Sequence, residues 1–440
     1  MPERLFTLPR GMRDTPPEEM ARRLWVAEKI RSVINRYGFR LVEPSPMEHL
    51  ETLEAKSGPM IRDEIYHFKD KAGRDLGLRF DLTVGMTRMV AGRTDLPEPV
   101  KLASIAGMWR YDEPQFARYR YFHQWDLEIY GSSEPAADAE IIAASMDILD
   151  EVGLRGYEVL ISSRRLVDGY LEAQGLEDQA LREQAIRLVD KARKIPREEL
   201  ASGLEALKLG EAATENLLSF IGLAGPPSKT LEKLASLGDL GPGFSRGLEN
   251  LRAIIEVLDL TKRLGRCRLD MSVVRGLDYY DGMVFEAYDT GGEEIGAILG
   301  GGRYDRLGGL YGRADLACTG VAGGIERLFI SLERAGLLPE LEPPVKLFVA
   351  AAGEEARPAA IKLVQEARRV GLPCDMDLRA RPLKRQLEYA DALKIPYAAI
   401  IGPREAEKGA LNLRDMKTRR EKTISLAEFR KWLAEQAGKP

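Results

Sequence analysis

Residues 109–131 read WRYDEPQFARYRYFHQWDLEIYG. From Tyr119 to Tyr130, Tyr121, His123, Trp125 and Leu127 alternate with Arg120, Phe122, Gln124, Asp126 and Glu128. A period of two among aromatic and branched residues predicts a strand. That strand sets Gln124, Asp126 and Glu128 in a row on one face. The preceding residues end a strand at Arg110 and turn through Asp112, Glu113 and Pro114, so the stretch reads as two strands joined by a charged loop. A buried polar row is costly unless something binds it. The alternative is a charged hairpin at a sheet edge, its ion pairs in water.

On the N-terminal side, Thr15-Pro16-Pro17-Glu18 predicts a helix start, with Thr15 as cap, Pro16 in the first turn and Glu18 closing a capping box. Met20, Leu24, Ala27, Ile30, Ile34 and Tyr37 give it an apolar stripe, and Gly38 ends it. A strand over 39–42 follows, broken by Pro44 and Pro46. Strands over 65–69 and 77–80 flank a turn at 70–74. Asp81 and Thr83, two apart in an extended segment, would share one face and offer a carboxylate and a hydroxyl to an ammonium group. The alternative is that they cap a helix over 84–91.

On the C-terminal side, a helix over 135–152 and a short strand over 157–162 are predicted. From about Val167 to Leu264, Leu, Glu, Lys and Ala at helical spacing replace the strand pattern, with turns at Gly175, Pro196, Gly210, Pro226-Pro227 and Gly241-Pro242. This reads as a helical insertion in a mostly antiparallel sheet domain. Residues 269–288 read LDMSVVRGLDYYDGMVFEAY, and Gly300-Gly301-Gly302 precede Arg303-Tyr304-Asp305. Three glycines let a backbone come close to a ligand, but the spacing is not that of a phosphate-binding P-loop. Beyond Pro343-Pro344, strands (346–350, 373–376, 397–401, 410–415) alternate with helices (357–370, 383–393), which predicts a small α/β domain with a partly parallel sheet.

The chain has 440 residues, enough for two or three domains, with 44% hydrophobic and 30% charged residues. No apolar run approaches the ~20 residues that span a bilayer. The N-terminus, MPERLFTLPRGMRD, lacks an apolar signal core, so a cytoplasmic protein without membrane partners is expected. Cys267, Cys318 and Cys374 are widely separated and suggest neither a zinc site nor a disulfide framework. Net charge is −4, against a general nucleic-acid coat, yet residues 346–440 carry 20 Lys and Arg against 13 Asp and Glu. A basic C-terminal end on an acidic body fits RNA contact at one end, or an ordinary solvated surface.

These stretches together resemble the class II aminoacyl-tRNA synthetases, in their histidyl-tRNA synthetase form. Arg110, Glu113-Pro114-Gln115, Arg118-Tyr119-Arg120, Phe122-His123-Gln124 and Glu128 resemble motif 2. Arg275-Gly276-Leu277-Asp278-Tyr279-Tyr280 with Val284-Phe285-Glu286, and Gly300 to Asp305, resemble the two histidine-specific motifs. Residues 320–328, GVAGGIERL, resemble motif 3, and the helix and strand over 15–42 resemble motif 1. Residues 381–390 resemble the signature helix of the anticodon-binding domain.

The resemblance implies an α+β fold: an antiparallel-sheet catalytic domain in two parts (1–166 and 265–342), a helical insertion (167–264) and an α/β anticodon-binding domain (343–440). It implies L-histidine, ATP and tRNA(His) as substrates, Mg2+ held through the ATP phosphates with no protein metal motif, and a homodimer. Arg110 and Arg275 are then catalytic. Arg110, Glu113, Arg118, Arg275 and Arg327 would bind ATP. Asp81, Thr83 and Gln124 would hold the amino group of histidine, with Glu128, Tyr280 and Tyr304 on its imidazole. Gln115, Arg118, Arg381, Lys384 and Arg385 would meet tRNA. Glu326 and Leu328 read as framework, and His123 as a packed strand residue near the site. Lys191, Arg193 and Lys194 in the insertion read as solvated helix faces that could touch phosphate.

Two departures stand out. Ser162-Ser163-Arg164 occupy a tract where the family usually has an asparagine, and Glu113 stands where bacterial members often have arginine. Two other classes compete: the histidine-sensing regulatory subunit of ATP phosphoribosyltransferase, and a synthetase-like RNA-binding protein with an inert site. The first lacks the anticodon domain and the catalytic arginines, all present here.

Overall fold

The computed structural model describes residues 7–57, 59–113, 118–275 and 279–438. Two compact units divide the chain, Met1–Pro339 and Glu340–Pro440. The first is built on a nine-stranded sheet: Arg40–Leu41 (β1), Val100–Trp109 (β2), Tyr121–Tyr130 (β3), Tyr157–Ser163 (β4), Ala224–Gly225 (β5), Cys267–Asp270 (β6), Met283–Asp289 (β7), Ala297–Arg303 (β8) and Cys318–Gly324 (β9). They lie in the order β1-β2-β3-β9-β8-β7-β4-β6-β5. The run from β2 to β4 is antiparallel throughout, and β1 on β2 and β6 on β4 are parallel.

The period-two pattern sorts the two faces of this sheet. Trp125, Leu127, Ile129, Val321, Phe285 and Ala287 point to the back, into one apolar core with Ile30 and Ile34 of helix Pro17–Arg36 and Ile141, Ile148 and Leu149 of helix Pro135–Glu151. Gln124, Asp126 and Glu128 alternate with them and face the front. Directly opposite on β9 stand Gly324, Ala322 and Gly320. Gly300 of β8 faces Ala322, and Glu286 of β7 faces Gly300. The front is therefore a polar row beside a floor of small residues, which leaves room above the sheet. Helix Thr83–Ala91 packs on that side through Met86 and Val90, in a second cluster with Tyr279, Tyr280 and Tyr304.

Several sequence expectations need correction. Helix Pro17–Arg36 begins one residue later than read, Pro16 is its cap residue, and no side chain bonds the cap, so the capping box is absent. Glu19 instead holds Arg13 at 2.6 Å. Met20 and Leu24 do not face the core; they are 41% and 58% exposed, and Val26, Ile30, Val33 and Ile34 form the buried stripe. Asp81 and Thr83 do not share a strand, because Thr83 opens its helix and Asp81 lies just before it. The Asp81 carboxylate accepts from Val84 N–H at 3.1 Å, which fixes it at the helix start.

The helical segment starts at Arg164 and comprises Arg164–Ala173, Gln179–Val189, Arg197–Ala206, Glu211–Ile221, Pro227–Ala235 and Pro242–Leu260. Its first and last helices meet at glycines. A Cβ on Gly169 would lie 2.5 Å from Phe244 N, and one on Gly247 3.1 Å from Leu166 N. Arg193 is not merely a solvated side chain: it donates to Ser272 Oγ at 3.0 Å and pairs with Asp270.

The second unit is a five-stranded sheet in the order Cys374–Met376, Leu347–Ala351, Tyr397–Ile401, Ala410–Asp415, Glu421–Ser425. The first three strands are parallel and the last two pairings antiparallel. The strand at 421–425 and the closing helix Leu426–Ala437 were not read from sequence. Ser425 and Glu428 form a full capping box there. Phe429 and Leu433 bury that helix against the sheet.

Candidate active site

One cleft on the front of the sheet is lined by Asp81, Thr83, Arg110, Arg118, Gln124, Glu128, Arg275, Tyr280, Tyr304 and Arg327. Ten residues spread over 247 positions of the sequence thus meet in one place. Glu113 is not among its lining residues. It is 73% exposed and paired with Arg10 at 2.8 Å. Gln115 lies outside the described residues.

At the floor, Glu128 is 1% exposed and Tyr304 2%. The Tyr304 hydroxyl donates to Glu128 Oε2. Burial and the adjacent Glu128 charge push the Tyr304 pKa well up, so the phenol keeps its proton and stays a donor. Tyr279, Tyr280 and Tyr304 form an aromatic wall, with Tyr279 and Tyr280 ring centroids 4.4 Å apart and Tyr304 edge-on to both. A carboxylate beside hydroxyls within an aromatic wall suits a flat, polar ring that offers N–H groups. Thr83 Oγ1 lies 3.5 Å from Asp126 Oδ2, and Asp126 is fully buried.

Four guanidiniums line the same cleft. Arg275 has a left-handed backbone, φ +52°, and its carbonyl accepts from Arg164 Nη1 at 3.1 Å. That conformation costs a non-glycine residue roughly 1 kcal/mol and persists only where neighbours fix it. The Arg275 guanidinium pairs with Glu286 at 3.2 Å and lies 5.3 Å from the Tyr280 ring centre, and its Nε has no hydrogen-bond partner among the described residues. Burial opposes its charge, but Tyr280 and Glu286 hold its pKa above the usual arginine value. Arg110 donates through Nε to Phe80 O at 3.0 Å and stacks on Phe122 at 5.1 Å. Arg118 pairs with Asp112 at 3.3 Å. Arg327 donates to Ala297 O at 2.8 Å. Its pKa is lowered, first by burial and then by the positive charges of Arg118 and Arg110. Three like charges that bear on one another in a cleft suit an anionic ligand.

Sequence reasoning gave no role to Asp112, Tyr119, Phe122, Tyr279, Glu286 or Ala297 to Leu299, all of which line the cleft. Phe122, Tyr279 and Glu286 stood inside the quoted motifs. The glycines act through what they leave empty: a Cβ on Gly300 would lie 1.7 Å from Arg275 Nη1, and one on Gly320 1.5 Å from Glu128 Oε2. Arg79 and Arg120 are structural. Arg79 bonds Gly107 O and Pro44 O, and Arg120 bonds Asp112 O.

In the second unit, Arg381 is tied to Asp377 and lies 4.4 Å from the Tyr389 ring centre. Lys384 and Arg385 are exposed, with Arg385 paired to Glu388 at 2.7 Å. Buried Gln386 bonds both the N–H and the C=O of Ala351 at 3.0 Å, fixing this helix to the sheet.

An antiparallel sheet that carries several arginines around a polar amino-acid-sized floor, with a separate α/β unit, is the architecture of a class II aminoacyl-tRNA synthetase. The histidyl-tRNA synthetase family model matches residues 11–328, and the anticodon binding domain model matches residues 346–436. The histidine–tRNA ligase of Thermococcus kodakarensis is 37% identical over 418 residues, 94% of this chain and 95% of that one. That of Pyrobaculum islandicum is 38% identical over 434 residues, 98% of each. The crystal structure of histidyl-tRNA synthetase from Nostoc sp. PCC 7120 superposes with a TM-score of 0.82 at 26% identity, covering 98% of this chain and 99% of that one. The chain belongs to the histidyl-tRNA synthetase family.

Proposed function

We propose that the cleft joins L-histidine to ATP, giving histidyl-adenylate and pyrophosphate, and then passes the histidyl group to the 3′ end of tRNA(His). The carrying observation is the convergence of an anion site and a Glu128–Tyr304 floor in one cleft. Adenylation attaches a carboxylate to the α-phosphate through a five-coordinate transition state, so the protein supplies position and charge and no nucleophile. Arg110 takes the α-phosphate and adenine, Arg275 the charge that develops in the transition state, and Arg327 the γ-phosphate. Asp81, Thr83 and Gln124 hold the ammonium group. Glu128, Tyr280 and Tyr304 read the imidazole, and a site built to satisfy both ring nitrogens rejects analogues that leave its buried groups unpaired. A sensor of histidine that performs no chemistry has no use for Arg110, Arg275 and Arg327 around one cleft.

The described residues assemble no group of three or more His, Cys, Asp or Glu side chains fit to cage a metal. Mg2+ is assigned to the ATP phosphates that carry it in, and no step is assigned to it. Residues 164–260 serve as an insertion toward the acceptor arm, Gln115 and Arg118 meet the acceptor end, and Arg381, Lys384 and Arg385 meet the anticodon stem through phosphate. Exposed Leu41 on the short edge strand β1 supports a homodimer formed through that edge. No helix among the described residues is long and apolar enough to cross a membrane, and a cytoplasmic location is part of the same proposal. Charging of a tRNA(His) transcript with labelled histidine tests the reading. Stable acid-precipitable label is expected, and its absence with active ATP would contradict it.

A further inference from the structure

The chain reaches the cleft at Gln124 on β3 and at Arg327 on helix Ile325–Arg334, 203 positions apart. Strand β9, which pairs with β3, ends at Gly324 opposite Gln124. The next residue of β3, His123, therefore turns its N–H toward a place where the neighbouring strand has stopped. Glu326, in the first turn of the helix that follows β9, fills it: its two carboxylate oxygens accept from His123 N–H at 3.0 and 2.9 Å. A side chain here does what one more residue of strand would do. Glu326 is 7% exposed; it bonds the neighbour of Gln124 and immediately precedes Arg327 in the chain.

A third element joins them. Arg23 of helix Pro17–Arg36, 11% exposed, lies 3.4 Å from Glu326 and donates to His123 Nδ1 at 2.8 Å. A guanidinium N–H only donates, so this nitrogen of His123 accepts. The contact is made on the back face of the sheet, away from Gln124. His123 is thus gripped at both its backbone and its ring, and its neighbour Gln124 inherits the fixed position.

We propose that Glu326 is a positioning residue for adenylation, setting the distance between the group that holds the amino end of histidine and the arginine that holds the far end of the triphosphate. The inference rests on the function proposed above. In-line attack on the α-phosphate needs both substrates placed together, and a misplacement of ~1 Å can cost about 10²-fold. Glu326→Ala is expected to lower kcat for histidine-dependent ATP–pyrophosphate exchange by roughly 30-fold while KM for ATP and for histidine stays within about 3-fold, since each binding half stays intact. Glu326→Gln, whose amide oxygen still accepts the His123 N–H, is expected within about 3-fold of the parent kcat.

Unchanged kcat in Glu326→Ala would overturn the proposal. So would a Glu326→Gln as slow as Glu326→Ala, because charge in the cleft and not the tether would then be what matters. If Glu326→Ala does not fold, Glu326→Asp withdraws the carboxylate by about one methylene and is expected to lose kcat in the same pattern; full activity there overturns the proposal as well. A parent protein that exchanges no pyrophosphate with histidine would instead remove the underlying function, a distinguishable result.

Discussion

A methyl group on Gly320 would sit 1.5 Å from a carboxylate oxygen of Glu128, and one on Gly300 1.7 Å from Arg275. The site is thus defined as much by absent side chains as by present ones. The sequence shows that Gly300 to Gly302 and Gly320 to Gly324 are unusual, but not which residue each makes way for, because that depends on strand register. Register places Gly320 against Glu128 and Gly300 against Glu286. The motif arginines were legible; the left-handed backbone of Arg275 and its Arg164 anchor were not, since they join residues 111 positions apart. Arg275 is half-buried, keeps its charge, and has one N–H without a partner among the described residues. Arg275→Ala should slow adenylate formation by about 10²- to 10³-fold, the scale for loss of one transition-state donor. Histidine affinity should change little. Rapid-quench adenylate formation beside calorimetric histidine binding checks both halves, and an unchanged rate would remove Arg275 from the chemistry.

At the scale of elements, strand β3 was readable because polar residues alternate with aromatic and branched ones from His123 to Ile129. Helix Pro17–Arg36 was readable in extent and misread in facing, since its sequence carries more apolar residues than the core accepts and the surplus Met20 and Leu24 lie outside. The short helix Asp305–Leu310 follows Tyr304 directly and was not read at all. Asp281, one residue after Tyr280, accepts from Arg306 N–H of that helix at 3.0 Å. Its carboxyl pKa is pushed up to about 6 by burial, then by Asp305. A folded-state pKa above the unfolded value means that stability is full below pH ~4 and is lost as pH rises through 6. Asp281→Asn keeps an oxygen for Arg306 N–H and removes that ionisation. Its stability should therefore gain on the parent between pH 4 and 7, by on the order of 2 kcal/mol at the upper end. Thermal unfolding of both proteins across that range is the check, and a constant difference would mean that Asp281 titrates normally.

At the scale of the molecule, the two units have separate cores and the division falls at Glu340, close to the Pro343-Pro344 break in the sequence. The cleft is built wholly from the first unit. A chain ending at residue 342 should keep ATP–pyrophosphate exchange within about 5-fold and lose tRNA charging by about 100-fold or more, the loss expected when one of two linked binding modules is removed. Equal loss of both would make the second unit a structural support. Fold and family were legible because the motifs span nearly the whole chain in order. The tether at Glu326 and the latch of Arg193 on Asp270 and Ser272 were hidden, since each links residues about 80 or more positions apart that no periodicity pairs. The most direct test of the account is ATP–pyrophosphate exchange with each of the twenty amino acids in turn. Exchange with histidine alone is the predicted result. Exchange with another amino acid, or none with histidine while histidine still shifts the melting curve, would contradict it.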